Sequence, residues 1–300
     1  MNDMQHPSTQ HRIALVIPYF GNWPAWMDAM LISCAWNPDV DWHFLSDCED
    51  PATSPPNVHF HKATLQEMAE LATEALGFAV HLERPYKLCD LKPAYGLMFP
   101  ELLLGYDFWG HCDPDILWGN IRGFMTPELL NNYDILSSRK DALAGHFCIY
   151  RNEERINRLC MQTPDWEQML NHNEKSYMLD EAYYSDLIKT LADKGDVRVF
   201  WNRSLATSGS DQKPTLLGGQ TLRWKKGRPV DVTGTPVSYR HWLFRGRPLI
   251  WKKGRTWNAY GQEMMYLHFH QLKSGFAPCS IQYGDPPKKM VIDKMGIHSG

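Results

Sequence analysis

Two aspartates one residue apart, Asp113 and Asp115, sit among the apolar and aromatic residues of "GYDFWGHCDPDILWGN" (105–120). Pro114 between them cannot donate to a strand ladder, so a strand ends there and both carboxylates fall at its C-terminal edge. In open α/β sheets that edge is where ligands bind. Two hard oxygen ligands so close suit Mg²⁺ or Mn²⁺, which keeps waters and shares its shell with substrate phosphates. A solvated Asp-Pro-Asp turn is the competing reading. The flanking apolar segments weigh against it, because two like charges between core segments repel and lose hydration unless a cation joins them.

Other residues could serve the same chemistry. His268 and His270 in "YLHFHQLK" (266–273) share one face of a strand, and neutral imidazole is a good ligand for Mn²⁺; ordinary core or surface histidines are the alternative. Lys273 just beyond could reach a diphosphate or be a plain exposed lysine. Asp180 and Glu181 stand where the helix dipole favours acids in any protein. Aimed into a cleft, either would act as a general base on a hydroxyl or stabilise an oxocarbenium-like transition state. Asp90 and Lys92 lie near a helix start, where a surface ion pair competes with a ligand role, and Lys87 is a weaker case of the same kind.

The elements that must position these residues alternate strand and helix through about residue 200. "IALVIPYFG" (13–21) reads as a buried first strand, 23–36 as a helix, "DWHFLSD" (41–47) as a second strand, and "HFHKATLQEMAELATEALG" as a short strand and an amphipathic helix closed by Gly77. Segment 84–105 has helical apolar spacing with Pro93 near its start; strands follow at 106–115, 133–139 and 145–152, then a helix over 179–195 and strand "DVRVFW". This order predicts an α/β domain with a mostly parallel sheet flanked by helices. Beyond 203 the chain turns rich in Gly, Pro and Trp, and "LRWKKGRPV" (222–230) and "LIWKKGRTW" (249–257) read as two added C-terminal β-hairpins, with a last strand at 264–273. Residues 1–12 read as a disordered tail and 13–300 as one domain, a core at 13–202 and a hairpin-rich part at 203–300.

Taken in order, "LVIPYF", "FLSD", "CDLKPAYG", "GHCDPD", "GHFCIYRN", "LDEAYYSDLI" and "YLHFHQLK" resemble the GT-A-fold (Rossmann-like) glycosyltransferases that carry a D-x-D motif and use nucleotide-diphosphate sugars, above all bacterial capsule and lipopolysaccharide enzymes. The resemblance spans roughly residues 13–273. It implies that Asp113, Asp115 and His268 hold Mn²⁺ or Mg²⁺. It further implies that Tyr19 and Asp47 hold the base, that Asp90, Lys92, Asp113 and Lys273 serve ribose or phosphates, and that Asp180 or Glu181 stands beside the reacting sugar. The donor would be a UDP-type sugar and the acceptor a glycan or lipid-linked glycan.

Composition fits a folded protein of a reducing compartment. The 43% hydrophobic content supports a sizeable core, and seven scattered cysteines without a C-x-x-C pair indicate a reducing compartment. The N-terminus lacks the apolar run of a signal peptide, and no stretch approaches a membrane span, which predicts a cytoplasmic protein. Residues 221–260 carry ten Lys/Arg against one acid, Asp231, a local +9 that leaves −12 elsewhere. Such a patch suits a membrane surface, an anionic acceptor or no partner at all; no nucleic-acid motif accompanies it. Trp242, Trp251 and Trp257 in that region would line an acceptor groove or rest at a membrane interface. Two rival functions remain at this level. A nucleotidyltransferase would carry a Gly-rich basic loop after the first strand, where this chain has "PYFGNWPAW" without Lys or Arg. A non-catalytic glycan- or membrane-binding protein would keep the fold without the chemistry.

Overall fold

The computed structural model describes residues 10–201 and 248–300, apart from 141, 173, 259, 260 and 271, together with segments 206–207, 223–225 and 228–230. The first eight strands are β1 (Ile13–Pro18), β2 (Val40–Ser46), β3 (Val58–Lys62), β4 (Phe108–Cys112), β5 (Ile116–Trp118), β6 (Ile135–Ser137), β7 (Phe147–Arg151) and β8 (Val199–Trp201). All but β5 form one sheet in the order β3–β2–β1–β4–β7–β6–β8, parallel except for the reversed β7. β1 explains its apolar sequence. Ala14 and Val16 face a cluster built with helices Leu65–Leu76 and Tyr183–Lys194, while Ile13, Leu15 and Ile17 face the helix Met27–Ala35 on the other side. The α/β architecture and its helical layers are therefore as the sequence predicts.

Local chemistry sets the element ends. Thr64 caps helix Leu65–Leu76 through the Glu67 amide, and the Glu67 carboxylate returns to the Thr64 amide at 2.7 Å. Gly77 closes that helix with φ 76°.

The second half adds β9 (Ala206–Thr207), the hairpin β10 (Arg223–Lys225) and β11 (Arg228–Val230), then β12 (Leu249–Lys252), β13 (Arg255–Trp257), β14 (Glu263–Met264), β15 (Tyr266–His268), β16 (Lys289–Asp293) and β17 (Gly296–Ser299). Both hairpins expected from the K-K-G signals are present. In the second, Lys253 (φ 47°) and Gly254 (φ 73°) form the two-residue turn, and a side chain at 254 would strike Trp36 at 2.7 Å. Strands β14–β13–β12–β16–β17 make an antiparallel sheet that packs on Ala29 and Ile32 of the first helix. β5, β15 and β9 make a small third sheet in which His268 pairs with Ile116.

Several expectations need correction. Segment 85–94 is a 3-10 helix with Pro93 near its end rather than its start. The helix expected from 179 begins at Tyr183, which leaves Asp180 and Glu181 on the preceding turn. The strand expected over 264–273 is only three residues long in its site-bearing part, and hairpin β16–β17 was not anticipated. Trp251 is no acceptor or membrane contact: it is buried, and its indole N–H donates to the Trp118 carbonyl at 2.9 Å. Trp242, most of the basic 221–260 region and residues 1–9 of the expected tail lie outside the described residues. The Arg12 amide, just before β1, donates to Asp107 at 2.8 Å. Among the described residues no helix is long and apolar enough to cross a membrane.

The sheet edge carries an acid-sensitive contact. His43 is stacked between His59 and His61 with ring centroids 4.7 and 5.3 Å away, and its Nε2 lies 3.1 Å from the Tyr106 hydroxyl. Burial first, then both neighbouring imidazoles, lower its pKa to about 4, against the opposing pull of Asp41. The unfolded chain therefore binds more protons than the native one between about pH 4 and 6.5, so stability falls as pH drops through that window. His43→Phe is expected to flatten this slope, so that its melting temperature falls by a few degrees less than the wild type's between pH 7.5 and 5.

Candidate active site

β1, β2 and β4 all point their C-terminal ends at one side of the sheet, and a cleft of about 620 Å³ opens there. That volume is in the usual range for small-molecule sites. Tyr19, immediately after β1, lines it, donates its hydroxyl to the Asn22 carbonyl at 2.7 Å and stacks on Trp23. Asp47, immediately after β2, lies outside the lining; its carboxylate accepts the Gly21 amide at 2.8 Å and so shapes the turn that follows Tyr19.

One wall carries Asp115. The β5–β15 ladder continues into a bond from the Phe269 amide to the Asp115 carbonyl at 3.1 Å, so residues 268 and 270 are held on either side of that carboxylate. His268 Nε2 is 3.2 Å from Oδ1, His270 Nδ1 is 3.4 Å from Oδ2, and Lys273 Nζ is 2.7 Å from Oδ2. Burial works against the Asp115 charge, but the two imidazoles and Lys273 outweigh it and hold the carboxyl well below its ordinary range. The same contact raises the pKa of His270. One ligand atom each from Asp115, His268 and His270 lies within 4.8 Å of the others. A carboxylate with two imidazoles is a donor set that fits a divalent ion such as Mn²⁺.

Asp113 turns the other way. Lys92 Nζ donates to its Oδ1 at 2.7 Å, while its Oδ2 is 4.0 Å from His268 Nε2, so it borders the cation group without joining it. Lys92 also donates to the Gly145 carbonyl at 2.6 Å. Burial opposes the lysine's charge, yet Asp113 and the other anions raise its pKa well above normal.

The opposite wall holds Asp180 and Glu181. The Gly145 amide donates to Glu181 Oε1 at 2.9 Å, and the Glu181 amide donates to Asp180 Oδ1 at 2.9 Å. Asp180 is 3% exposed, and burial, with Glu181 beside it and against the pull of Lys92, raises its pKa to about 7. Both acids approach the backbone of Gly145 so closely that a Cβ there would lie 2.8 Å from Glu181 Oε1 and 2.9 Å from Asp180 Oδ2. Gly145→Ala is thus expected to fold, to push both acids aside, and to lower turnover about 10²-fold, a loss a steady-state assay would read directly.

Of the residues singled out in the sequence, the cleft brings together Tyr19, Lys92, Asp113, Asp115, Asp180, Glu181, His268, His270 and Lys273. Asp47 and Asp90 stay outside its lining; Asp90 is wholly buried behind the wall, where Lys87 Nζ meets it at 2.9 Å. Gly145 and His146 were not foreseen. The His146 ring stacks on His268 with centroids 4.3 Å apart, and its Nε2 meets the Tyr266 hydroxyl at 2.7 Å, which fixes the plane of the His268 imidazole. Burial first, then His268 and Lys92, keeps His146 neutral. Arg139, 3.6 Å from Glu181, and exposed Tyr86 at the rim were also missed. A Gly-His pair just before a strand was the one local signal available.

The model of DUF6625, a family of unknown function, matches residues 15–298. No curated protein matches the chain. Among solved structures, the glycosyltransferase GlyE of Streptococcus pneumoniae is similar at 10% identity and TM-score 0.33, over 65% of this chain and 46% of that one. The galactosyltransferase LgtC, solved with donor and acceptor sugar analogs, is similar at 12% identity and TM-score 0.37, over 65% of this chain and 76% of that one.

Proposed function

The chain belongs to the DUF6625 family, and we propose that it is a metal-dependent glycosyltransferase taking a nucleoside-diphosphate sugar as donor and a glycan or glycolipid hydroxyl as acceptor. The observation that carries this reading is the division of one cleft into a cation-competent wall and a carboxyl wall. Asp115, His268 and His270 stand on the first, Asp180 and Glu181 on the second, and Lys92 bridges between them. Uridine as the base, and a role in bacterial surface polysaccharide synthesis, follow from the sequence resemblance.

Asp115, His268 and His270 would hold Mn²⁺ or Mg²⁺, which supplies stabilisation of the negative charge that develops on the departing diphosphate. Lys273 and Lys92 add fixed positive charge along the same edge. Tyr19 offers an aromatic face at the end of β1, and Asp47 shapes that turn for the base. In the transfer the bond from the anomeric carbon to the diphosphate oxygen breaks with its electron pair on that oxygen. A new bond forms from the anomeric carbon to the acceptor oxygen, and the acceptor proton passes to a carboxylate of the second wall. Asp180, with a pKa of about 7, is poised to accept it near neutral pH.

The test is a set of nucleoside diphosphates and their sugars, each with Mn²⁺ or with chelator, read by melting temperature and then by donor consumption. A rise for one nucleoside diphosphate that needs the metal, followed by sugar transfer or slow donor hydrolysis, is the expected result. No shift with any nucleotide would overturn the proposal in favour of a non-catalytic binding protein. Pyrophosphate release from a nucleoside triphosphate would replace it with nucleotidyl transfer.

A further inference from the structure

Lys87 and Asp90, on the 3-10 helix that also carries Lys92, form an ion pair of 2.9 Å in which both side chains are 0% exposed. Burying two charges costs more than their attraction returns unless the remaining hydrogen-bonding positions are filled. Here they are filled by the end of the helix Trp166–Leu170 and the loop that follows it. Asp90 accepts from the Ser176 hydroxyl at 3.2 Å and from the Tyr177 and Leu179 amides at 3.1 and 3.2 Å, and Lys87 donates to the Met169 and Lys175 carbonyls at 2.6 and 3.0 Å. Two amides aimed at one carboxylate form a backbone nest. The nest forces the residue between them, Met178, to φ 49°, a conformation that few non-glycine residues adopt. The Met178 carbonyl then accepts the Glu181 and Ala182 amides at 3.0 and 2.9 Å, which sets the turn bearing Asp180 and Glu181.

The chain of contacts therefore runs from the buried pair to the nest, from the nest to the turn, and from the turn to both acids. We propose that Asp90, its charge balanced by Lys87, is a positioning residue, which locks the Asp180–Glu181 turn against the wall carrying Lys92 and so sets the geometry of transfer. This rests on the function proposed above, and it gives Asp90 a role other than the contact with ribose or phosphate that the family resemblance implies.

Two neutral double variants separate positioning from bulk stability. Lys87→Met with Asp90→Asn keeps an acceptor oxygen for the loop amides; Lys87→Met with Asp90→Leu removes it. Each is compared with the wild type by amide hydrogen exchange at 177 and 179, by metal-dependent UDP binding, and by donor turnover against pH. In the Asn pair, exchange stays slow and kcat stays within about fivefold of wild type. In the Leu pair both amides exchange at least tenfold faster, kcat falls at least thirtyfold, the apparent pKa of the profile moves, and UDP affinity changes less than threefold. Wild-type turnover in the Leu pair overturns the inference. If the Leu pair does not melt cooperatively, the Asn pair decides alone, and wild-type exchange with turnover lost overturns it. Absence of turnover in the wild-type protein, with every donor, removes the proposed function and this inference together; turnover in the wild type and Leu pair alike removes the inference only.

Discussion

Asp115→Asn is expected to stay folded, to lose every metal-dependent response to nucleotide, and to lower transfer by about 10³-fold or more. The substitution keeps the size of the side chain but removes the anion shared by His268, His270 and Lys273. Its stability effect has a defined sign. The native carboxyl titrates below its unfolded value, so its contribution is present above about pH 4 and is lost as pH falls through the lowered native pKa. At pH 7 the Asn variant should therefore melt several degrees below the wild type, and His270 should titrate closer to an ordinary histidine by NMR. Retained metal-dependent transfer would exclude Asp115 as a ligand.

Asp180→Asn should do the opposite to stability and the same to rate. The Asp180 carboxyl, 3% exposed with a pKa of about 7, binds its proton more tightly in the native state than in the unfolded chain. Native stability is accordingly lost as pH rises from about 4 to about 7. At pH 8 the wild type carries a buried carboxylate that the amide variant lacks. Asp180→Asn should thus melt higher than wild type at pH 8, by at most a few kcal/mol of added stability, with little gain at pH 5. Transfer should fall about 10²- to 10⁴-fold, the usual range for losing a general base. A variant as active as the wild type would exclude the proton-accepting role, and one less stable at pH 8 would exclude the raised pKa.

These two carboxylates also show what is legible in a sequence and what is not. Asp115 was visible because Pro114 ends a strand inside an apolar stretch, a local signal. β1 was visible because it is buried on both faces and so is apolar throughout. Asp180 was visible only as one of two adjacent acids, since its raised pKa comes from burial by distant segments. The helix placed at 179 starts four residues later because Asp90 captures the backbone amides of the approach, a tertiary contact without local trace. In segment 85–94 the sequence allows Asp90 a ligand role or a surface ion pair, with Lys87 a weaker case, and the structure instead buries both side chains together. Gly145 looks like a loop glycine until the acids packed on it are seen. β16–β17 has a local signature, because "KMVID" and "GIHS" flank a turn ending in Gly296.

The pairing of β5 with β15 has a consequence for the chain during its own synthesis. Asp115 and His268 are neighbours in space but about 150 residues apart in sequence. At ~5–20 residues per second, a ribosome needs roughly 8–30 s to pass from one to the other. Within that interval β6, β7 and β8 are made and the central sheet can be completed, while Asp115 still lacks the imidazoles and the ammonium that pair with it. The nascent protein therefore has the strands that open the cleft before it has the Asp115–His268–His270 cluster. That cluster is completed late, when the three residues of β15 pair with β5.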